Sequence, residues 1–175
     1  LEMAGAIAAE DGPSAIALRD LARRAGVSHA APAHHFGDRR GLLTALAVEG
    51  FTELAGRLGG VHDAGGSLSD QGVAYVAFAV SRPGHFATMW RFDLLDASDA
   101  ALGESAASAR RALDAGARRH AEATGGDAEA IATAGWSFAH GLATLLNAGL
   151  VDPGDDLEAF VRRAGLAFTG PTGAA

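Results

Sequence analysis

The stretch from Val27 to Leu42, V-S-H-A-A-P-A-H-H-F-G-D-R-R-G-L, constrains the fold more than any other, because a helix start, a short polar helix, an aromatic stop and a second helix start follow one another in it. Ser28 can cap a helix by accepting a hydrogen bond from a backbone N–H two or three residues on. That helix is expected from His29 to about His35, with Phe36 anchoring its exit and Gly37 relaxing the backbone. Its side chains are small or imidazole-bearing, thin enough to enter a DNA major groove about 12 Å wide. Asp38 offers the next cap, for a longer helix carrying Arg39 and Arg40 in its first turn. Cations there oppose the helix macrodipole by roughly 0.3 to 1 kcal/mol and need a reason to be present, which a phosphate would supply. Upstream, Leu18, Leu21, Ala22 and Ala25 share one helical face, and Gly26 ends that helix just before Ser28. Two short helices joined through a glycine turn have the form of a helix-turn-helix whose second helix is the reader.

These residues resemble a known family. Leu21-Ala22, Ala25-Gly26, Val27-Ser28, His35-Phe36-Gly37, a basic residue at 39 and Leu42-Leu43 are similar to the N-terminal domain of TetR-type transcriptional regulators, over roughly Met3 to Phe51. The resemblance implies a homodimeric regulator, binding a double-stranded DNA operator with its N-terminal helices and a small-molecule effector with an all-helical C-terminal domain. It departs from the family at two positions. Ala33 stands where a phosphate-touching tyrosine is usual, and Arg39 stands where lysine is usual, a change that keeps the charge and improves phosphate geometry. The DNA-binding surface expected from motif and resemblance together is Arg19, Ser28, His29, Ala30, Ala33, His34, His35 and Arg39, with Arg23 and Arg24 on a solvated face.

The chain has 175 residues, 49% of them hydrophobic, enough for a proper core in one ordinary domain or two small ones. It has no cysteine, which excludes disulfide frameworks, cysteine nucleophiles and cysteine-ligated zinc, and fits a cytoplasmic protein. No apolar run of about 18 residues predicts a membrane span. The net charge of −7 looks wrong for a nucleic-acid partner, but its distribution matters more than its total. Residues 1–50 hold five arginines against six acids, and the remainder nine against fifteen, so the acidity lies mainly outside the reader. The first residues, L-E-M-A-G-A-I-A-A-E-D-G, lack a basic signal-peptide region and read as the tail of a first helix that began further upstream.

The remainder reads as helices. Asp38 to Leu58 carries Leu42, Leu43, Leu46, Phe51, Leu54 and Leu58 at apolar positions, with Gly59-Gly60 and Gly65-Gly66-Ser67 marking a loop after it. Val73–Val80 is strand-like in pattern, yet its alanines and surroundings favour a buried helix. Arg82-Pro83-Gly84 breaks that helix. Helices are expected over Asp99–Thr124, Ala128–Ala148 and from Asp155 on, the last with Leu157, Phe160, Val161, Ala164 and Phe168 on its apolar side. The fold class is therefore all-α. A three-helix DNA-binding domain over residues 1–50 precedes a helical ligand-binding and dimerisation bundle over 51–170 and a frayed tail over 171–175.

W136-S-F-A-H-G-L-A-T-L145 resembles the Trp, His-Gly pattern in the C-terminal domain of one TetR-type subset, and R82-P-G-H-F-A-T-M89 is similar to that subset's middle region. Trp136, His140 and Ala143 share one helix face, whereas Phe138, Gly141, Leu142 and Leu145 lie on another. One face can line the domain's own pocket and the other a second subunit. The expected pocket is Tyr75, Phe78, Phe86, Met89, Trp90, Trp136 and His140, a group that core packing would explain equally well. His85 is open to either role, and His120 belongs on a solvent face. The expected dimer contact is Leu142, Leu145, Leu146, Leu157, Phe160, Val161 and Ala164, four helices across a two-fold axis.

Other classes find little support. His29, His34 and His35 do not bring three imidazoles to one helix face, so no metal is expected. There is no phosphate-cradling glycine loop, no G-x-S-x-G elbow and no H-E-x-x-H. Ser137 and His140 lie one turn apart without an activating acid or oxyanion site. Neither an enzyme nor a cofactor is expected. The surviving readings are a ligand-responsive repressor and, as the alternative, an all-helical dimeric interaction protein with weakened DNA binding.

Overall fold

Every expected helix forms, and the computed structural model, which describes residues 1–169 (side chains through 167), shows no strand among them. The side chain of Phe168 and the tail lie outside what is described. The helices are α1 (Glu2–Asp11), α2 (Leu18–Ala25), α3 (Ala30–Phe36), α4 (Arg39–Asp63), α5 (Leu68–Ser81), α6 (Pro83–Met89), α7 (Ala100–Thr124), α8 (Ala128–Asn147) and α9 (Leu157–Thr169), with a 3-10 turn at Pro13–Ala15. Packing divides them into two units. The first holds Leu1–Ala55 and Arg82–Ala109; the second holds Gly56–Ser81 and the chain from Arg110 onward. Residues 82–109 thus pack in the same unit as the N-terminal helices.

In the first unit, Leu42, Leu43, Leu46, Phe51 and Leu54 of α4 are all buried, as are Ile7 and Ile16, and the α4 face is the one that the apolar spacing foretold. Helix α2 ends on Gly26, whose φ of 67° is the left-handed conformation that glycine adopts without a Cβ penalty. Val27 N–H then bonds the Ala22 carbonyl at 3.0 Å, closing the helix end. Helix α6 packs on α1 so closely that a Cβ on Gly84 would stand 1.9 Å from the Gly5 carbonyl oxygen. Pro83 opens α6 at a position where its missing N–H costs nothing. Arg82, between α5 and α6, donates to Glu53 at 2.8 Å and lies near Glu49 and Glu2.

In the second unit, α5 packs against α8 and α9 around Tyr75, Val76, Phe78 and Ala79. The expected glycine loop after residue 58 begins later than read, because α4 continues through Gly59-Gly60 to Asp63 and only 64–67 turn. Packing of Leu58 and its neighbours outweighs the roughly 1 kcal/mol that each helix-interior glycine costs relative to alanine. Ser67 and Asp70 form a reciprocal cap at the start of α5: the Asp70 carboxylate accepts from Ser67 N–H at 2.7 Å, and Ser67 Oγ accepts from Asp70 N–H at 3.2 Å. Ser67, first, and then Arg162 of α9 hold the Asp70 carboxyl down at about 2.

Candidate nucleic-acid interface and effector cavity

Helix α3 is almost entirely surface. Ala30, Ala31, Ala33, His34 and His35 are exposed, whereas Pro32 is buried and Phe36 half-buried, so two side chains seat the helix and the rest face outward. His35 meets the Phe36 ring edge-on at 4.5 Å. The start of the helix differs in detail from expectation. His29 takes the capping position without a side-chain bond, and Ser28 contributes its carbonyl, which accepts from Ala31 N–H at 3.1 Å, rather than its hydroxyl. The helix therefore starts one residue late, and Ser28 and His29 stay exposed. Asp38 does cap α4, accepting from Gly41 N–H at 2.8 Å.

Arg39 is engaged within its own unit. Its guanidinium donates to the carbonyls of Ile16 at 2.8 Å, Ser14 at 2.9 Å and Pro13 at 3.2 Å. The fork of five N–H donors suits a cluster of carbonyls left over by a 3-10 turn. Arg40 likewise donates to the carbonyls of Leu95 and Asp93, and Thr44 Oγ1 accepts from Asp96 N–H at 2.9 Å. Two cations at a helix N-terminus are thus explained by backbone oxygens of the same unit. Arg23 pairs with Asp20, and Arg24 bonds Asp20 at 2.9 Å and Glu10 at 3.2 Å, which keeps both on the solvated face expected of them. Arg19 remains. It is exposed, and among residues 1–50 it is the arginine without a described hydrogen bond or ion pair.

The expected pocket residues separate. Tyr75 is fully buried in the second unit, where Trp136 Nε1 donates to its hydroxyl at 3.2 Å and His140 Nδ1 lies 2.9 Å from the same oxygen. Trp136 and His140, one turn apart on α8, grip one phenol between them. Burial pushes the Tyr75 hydroxyl well above its usual range and the His140 imidazole below its own, so the group is uncharged. A small cavity of about 20 Å³ lies beside it, lined by Gln71, Tyr75, Trp136, Leu68, Leu113 and the small residues of α5 and α8. Phe78 is buried without lining the cavity; Arg57 sits 5.6 Å over its ring. Phe86, Met89 and Trp90 belong to the core of the first unit, where Trp90 meets Phe51 and Phe86 edge-on. His85 is buried there too, kept below its ordinary value by burial first and by Arg82 second. His120 is exposed as read.

Gln71 escaped the sequence reading. Its signal was a lone carboxamide one turn before Tyr75 in L68-S-D-Q-G-V-A-Y75, hence on the same face. Among the residues expected between subunits, Leu145 is exposed and Leu146, Leu157, Phe160 and Ala164 are half-buried, but Leu142 and Val161 are already buried within the protomer. Leu150 and Leu166, which the reading left out, are exposed at 73% and 63%. Among the described residues no three His, Asp or Glu side chains gather as a metal site, and no helix is long and apolar enough to cross a membrane.

Residues 1–46 match the family model of bacterial regulatory proteins of the tetR family, and residues 68–167 match that of the tetracyclin repressor-like C-terminal domain. The chain belongs to the tetR family of transcriptional regulators. A protein of unknown function from Rhodococcus sp. RHA1 is 33% identical over 95% of this chain and 90% of its own, with a TM-score of 0.75. A tetR-family bacterial regulatory protein from Rhodococcus RHA1 (18% identity, 96% and 92% covered, TM-score 0.77) shares the tetR-family fold. So does the TetR family transcriptional regulator PfmR from Thermus thermophilus (21% identity, 97% and 96% covered, TM-score 0.73). No protein of curated function matches significantly. As a tetR-family member the chain is a DNA-binding regulator, built on the all-α fold that its sequence implied.

Proposed function

We propose that this chain is a homodimeric repressor that holds a two-fold symmetric operator and lets it go when a small molecule occupies the second unit. The observation that carries this reading is the outward face of α3, Ala30, Ala33, His34 and His35, with exposed Ser28, His29 and the uncommitted Arg19 beside it. Arg39 contributes by positioning, since its Nε and one terminal nitrogen hold the turn before α2. Dimerisation through the exposed part of α8 and α9, Leu145 first, would set two readers into successive major grooves about 34 to 36 Å apart. Helices α4 and α7 each supply residues to both units. Such a protein works in the cytoplasm, on chromosomal DNA, and needs no catalytic step.

A fluorescence-anisotropy titration of the chain against the DNA upstream of its own gene, repeated across salt concentrations, tests the reading. Affinity should fall steeply with salt as counterions compete for phosphates. Binding that ignores salt, or that shows no preference over unrelated DNA, would return the chain to the interaction-protein reading.

A further inference from the structure

Helix α3 reads A30-A-P-A-H-H-F36 and holds no Arg, Lys, Asn, Gln, Asp or Glu. Buried Pro32 and half-buried Phe36 lie one turn apart and seat the helix. Ala30 and His34 stand two residues to either side of Pro32, roughly 200° round the helix from it, so they form the middle of the outward face. Exposed Ala31, one turn before His34, widens that face. These side chains limit what the helix can read. Guanine is paired bidentately by Arg or Lys, adenine by Asn or Gln, and cytosine N4 donates to Asp or Glu. None of these stands on α3. An imidazole N–H finds acceptors on guanine, adenine and thymine alike, so His34 orients the helix more than it selects a base. Ser28, just before the helix, offers a hydroxyl that suits several bases as well. Arg19 belongs to α2, the helix that crosses the phosphate backbone in this geometry. What remains is the thymine C5-methyl, an apolar mark in the major groove that alanine can meet.

We infer that Ala30 and Ala31 determine operator specificity by packing their methyls against thymine C5-methyls in each half-site, so that the sequence is read through methyl groups more than through hydrogen bonds. The inference rests on the repressor reading above, in which α3 enters the major groove. Ala31 is not among the residues that motif and resemblance bring forward; its place follows from Pro32 and Phe36 being turned inward. Burying one methyl is equivalent to about fourfold in affinity, and two half-sites multiply it. Small side chains serve this contact directly, since a helix faced with alanines can approach the base edges closely.

Selection of bound duplexes from random-sequence DNA by the full chain supplies the half-site, and anisotropy titrations on that duplex test the inference. Each thymine is replaced in turn by deoxyuridine, in both half-sites at once, which removes the C5-methyl and leaves every hydrogen-bonding group of the major groove in place. At least one replacement should weaken binding about fourfold per methyl, or about 15-fold for the symmetric pair. Ala30→Gly or Ala31→Gly should bring the thymine and uracil duplexes level at that position, with helical content checked by circular dichroism. Should glycine unfold the chain, serine at the same positions sets a hydroxyl against the methyl and must likewise remove the preference. The uracil series on the unaltered chain needs no variant. Equal affinity across that series, or a selected half-site without thymine on either strand, overturns the inference and leaves the repressor reading standing. A thymine preference that survives in both folded variants also overturns it, since the methyl would then be felt through the DNA and not through alanine. Failure to select any sequence overturns both.

Discussion

Arg39 reaches back 23 residues to donate its Nε–H to the Ile16 carbonyl at 2.8 Å, and with its terminal nitrogen it also holds the carbonyls of Ser14 and Pro13. The first turn of α4 is thereby tied to the turn that precedes α2, and the reader is framed between the two. Arg39→Ala should lower the stability of the chain by about 2 kcal/mol, the scale for hydrogen bonds from a charged donor. Operator affinity should fall with it, while the slope of log affinity against log salt stays unchanged, as for a residue that positions the reader without touching a phosphate; a shallower slope would assign Arg39 a phosphate contact as well. Thermal melts and a salt series on the variant check both halves.

Arg19 should behave in the opposite way. It is exposed and has no described partner, so Arg19→Ala should leave the melting temperature within about a degree or two, as surface substitutions do. Its salt slope should fall by about 1 and its affinity drop on every DNA sequence alike, the signature of a lost phosphate contact. An unchanged slope would take Arg19 out of the interface.

The contrast between these two arginines shows what could be read in advance. Helix order, the α4 face and the closing Gly26 were all legible, since periodicity and capping are local in sequence. The carbonyl partners of Arg39 were not legible because they belong to a turn more than 20 residues away, and only folding brings them together. The aromatic set was legible as packed, but not as divided: Tyr75 and Trp90 look alike in sequence and end in different units. Gln71 carried a signal only beside Tyr75, and one polar residue in an apolar run is as often a satisfied core residue as a site.

Gly84 tests the packing of the first unit. A methyl there would meet the Gly5 carbonyl oxygen at 1.9 Å and its carbon at 2.7 Å, backbone that cannot swing aside. Gly84→Ala should cost at least about 3 kcal/mol. Gly50→Ala is the comparison: its methyl would meet side-chain atoms, Met89 Sδ at 2.6 Å and Cγ at 3.0 Å and His85 Cβ at 3.2 Å, rather than backbone, and should cost less, about 1 to 2 kcal/mol. Equal losses in chemical denaturation would show that α6 does not sit on α1 as described.

Leu145 is 42% exposed on α8, with half-buried Leu146 beside it in sequence and half-buried Phe160 and Ala164 on α9. A charge placed there meets no cost in a monomer but faces burial between subunits, where an unpaired carboxylate is strongly disfavoured. Leu145→Glu should therefore shift the chain from dimer to monomer in analytical ultracentrifugation, with helical content retained by circular dichroism. A variant that stays dimeric would move the subunit contact elsewhere.

Buried His85 and half-buried His140 set a lower pH limit for folding. Burial holds the imidazoles of His140 and His85 below their ordinary value, in His85 with help from Arg82 against the opposing pull of Glu49. An unfolded histidine takes up its proton near pH 6.5, before the folded one does. Their contribution is thus complete above about pH 6.5 and is lost as pH falls through the lowered folded values, because the unfolded chain then binds more protons. Melting temperature should accordingly decline as pH drops from about 7 toward about 5. Replacing His140 by Asn, which cannot take up that proton, should flatten the decline, while the lost contact to Tyr75 lowers the plateau near neutral pH by about 1 kcal/mol. If the slope of the His140→Asn chain matches that of the unaltered one, the proton is taken up elsewhere.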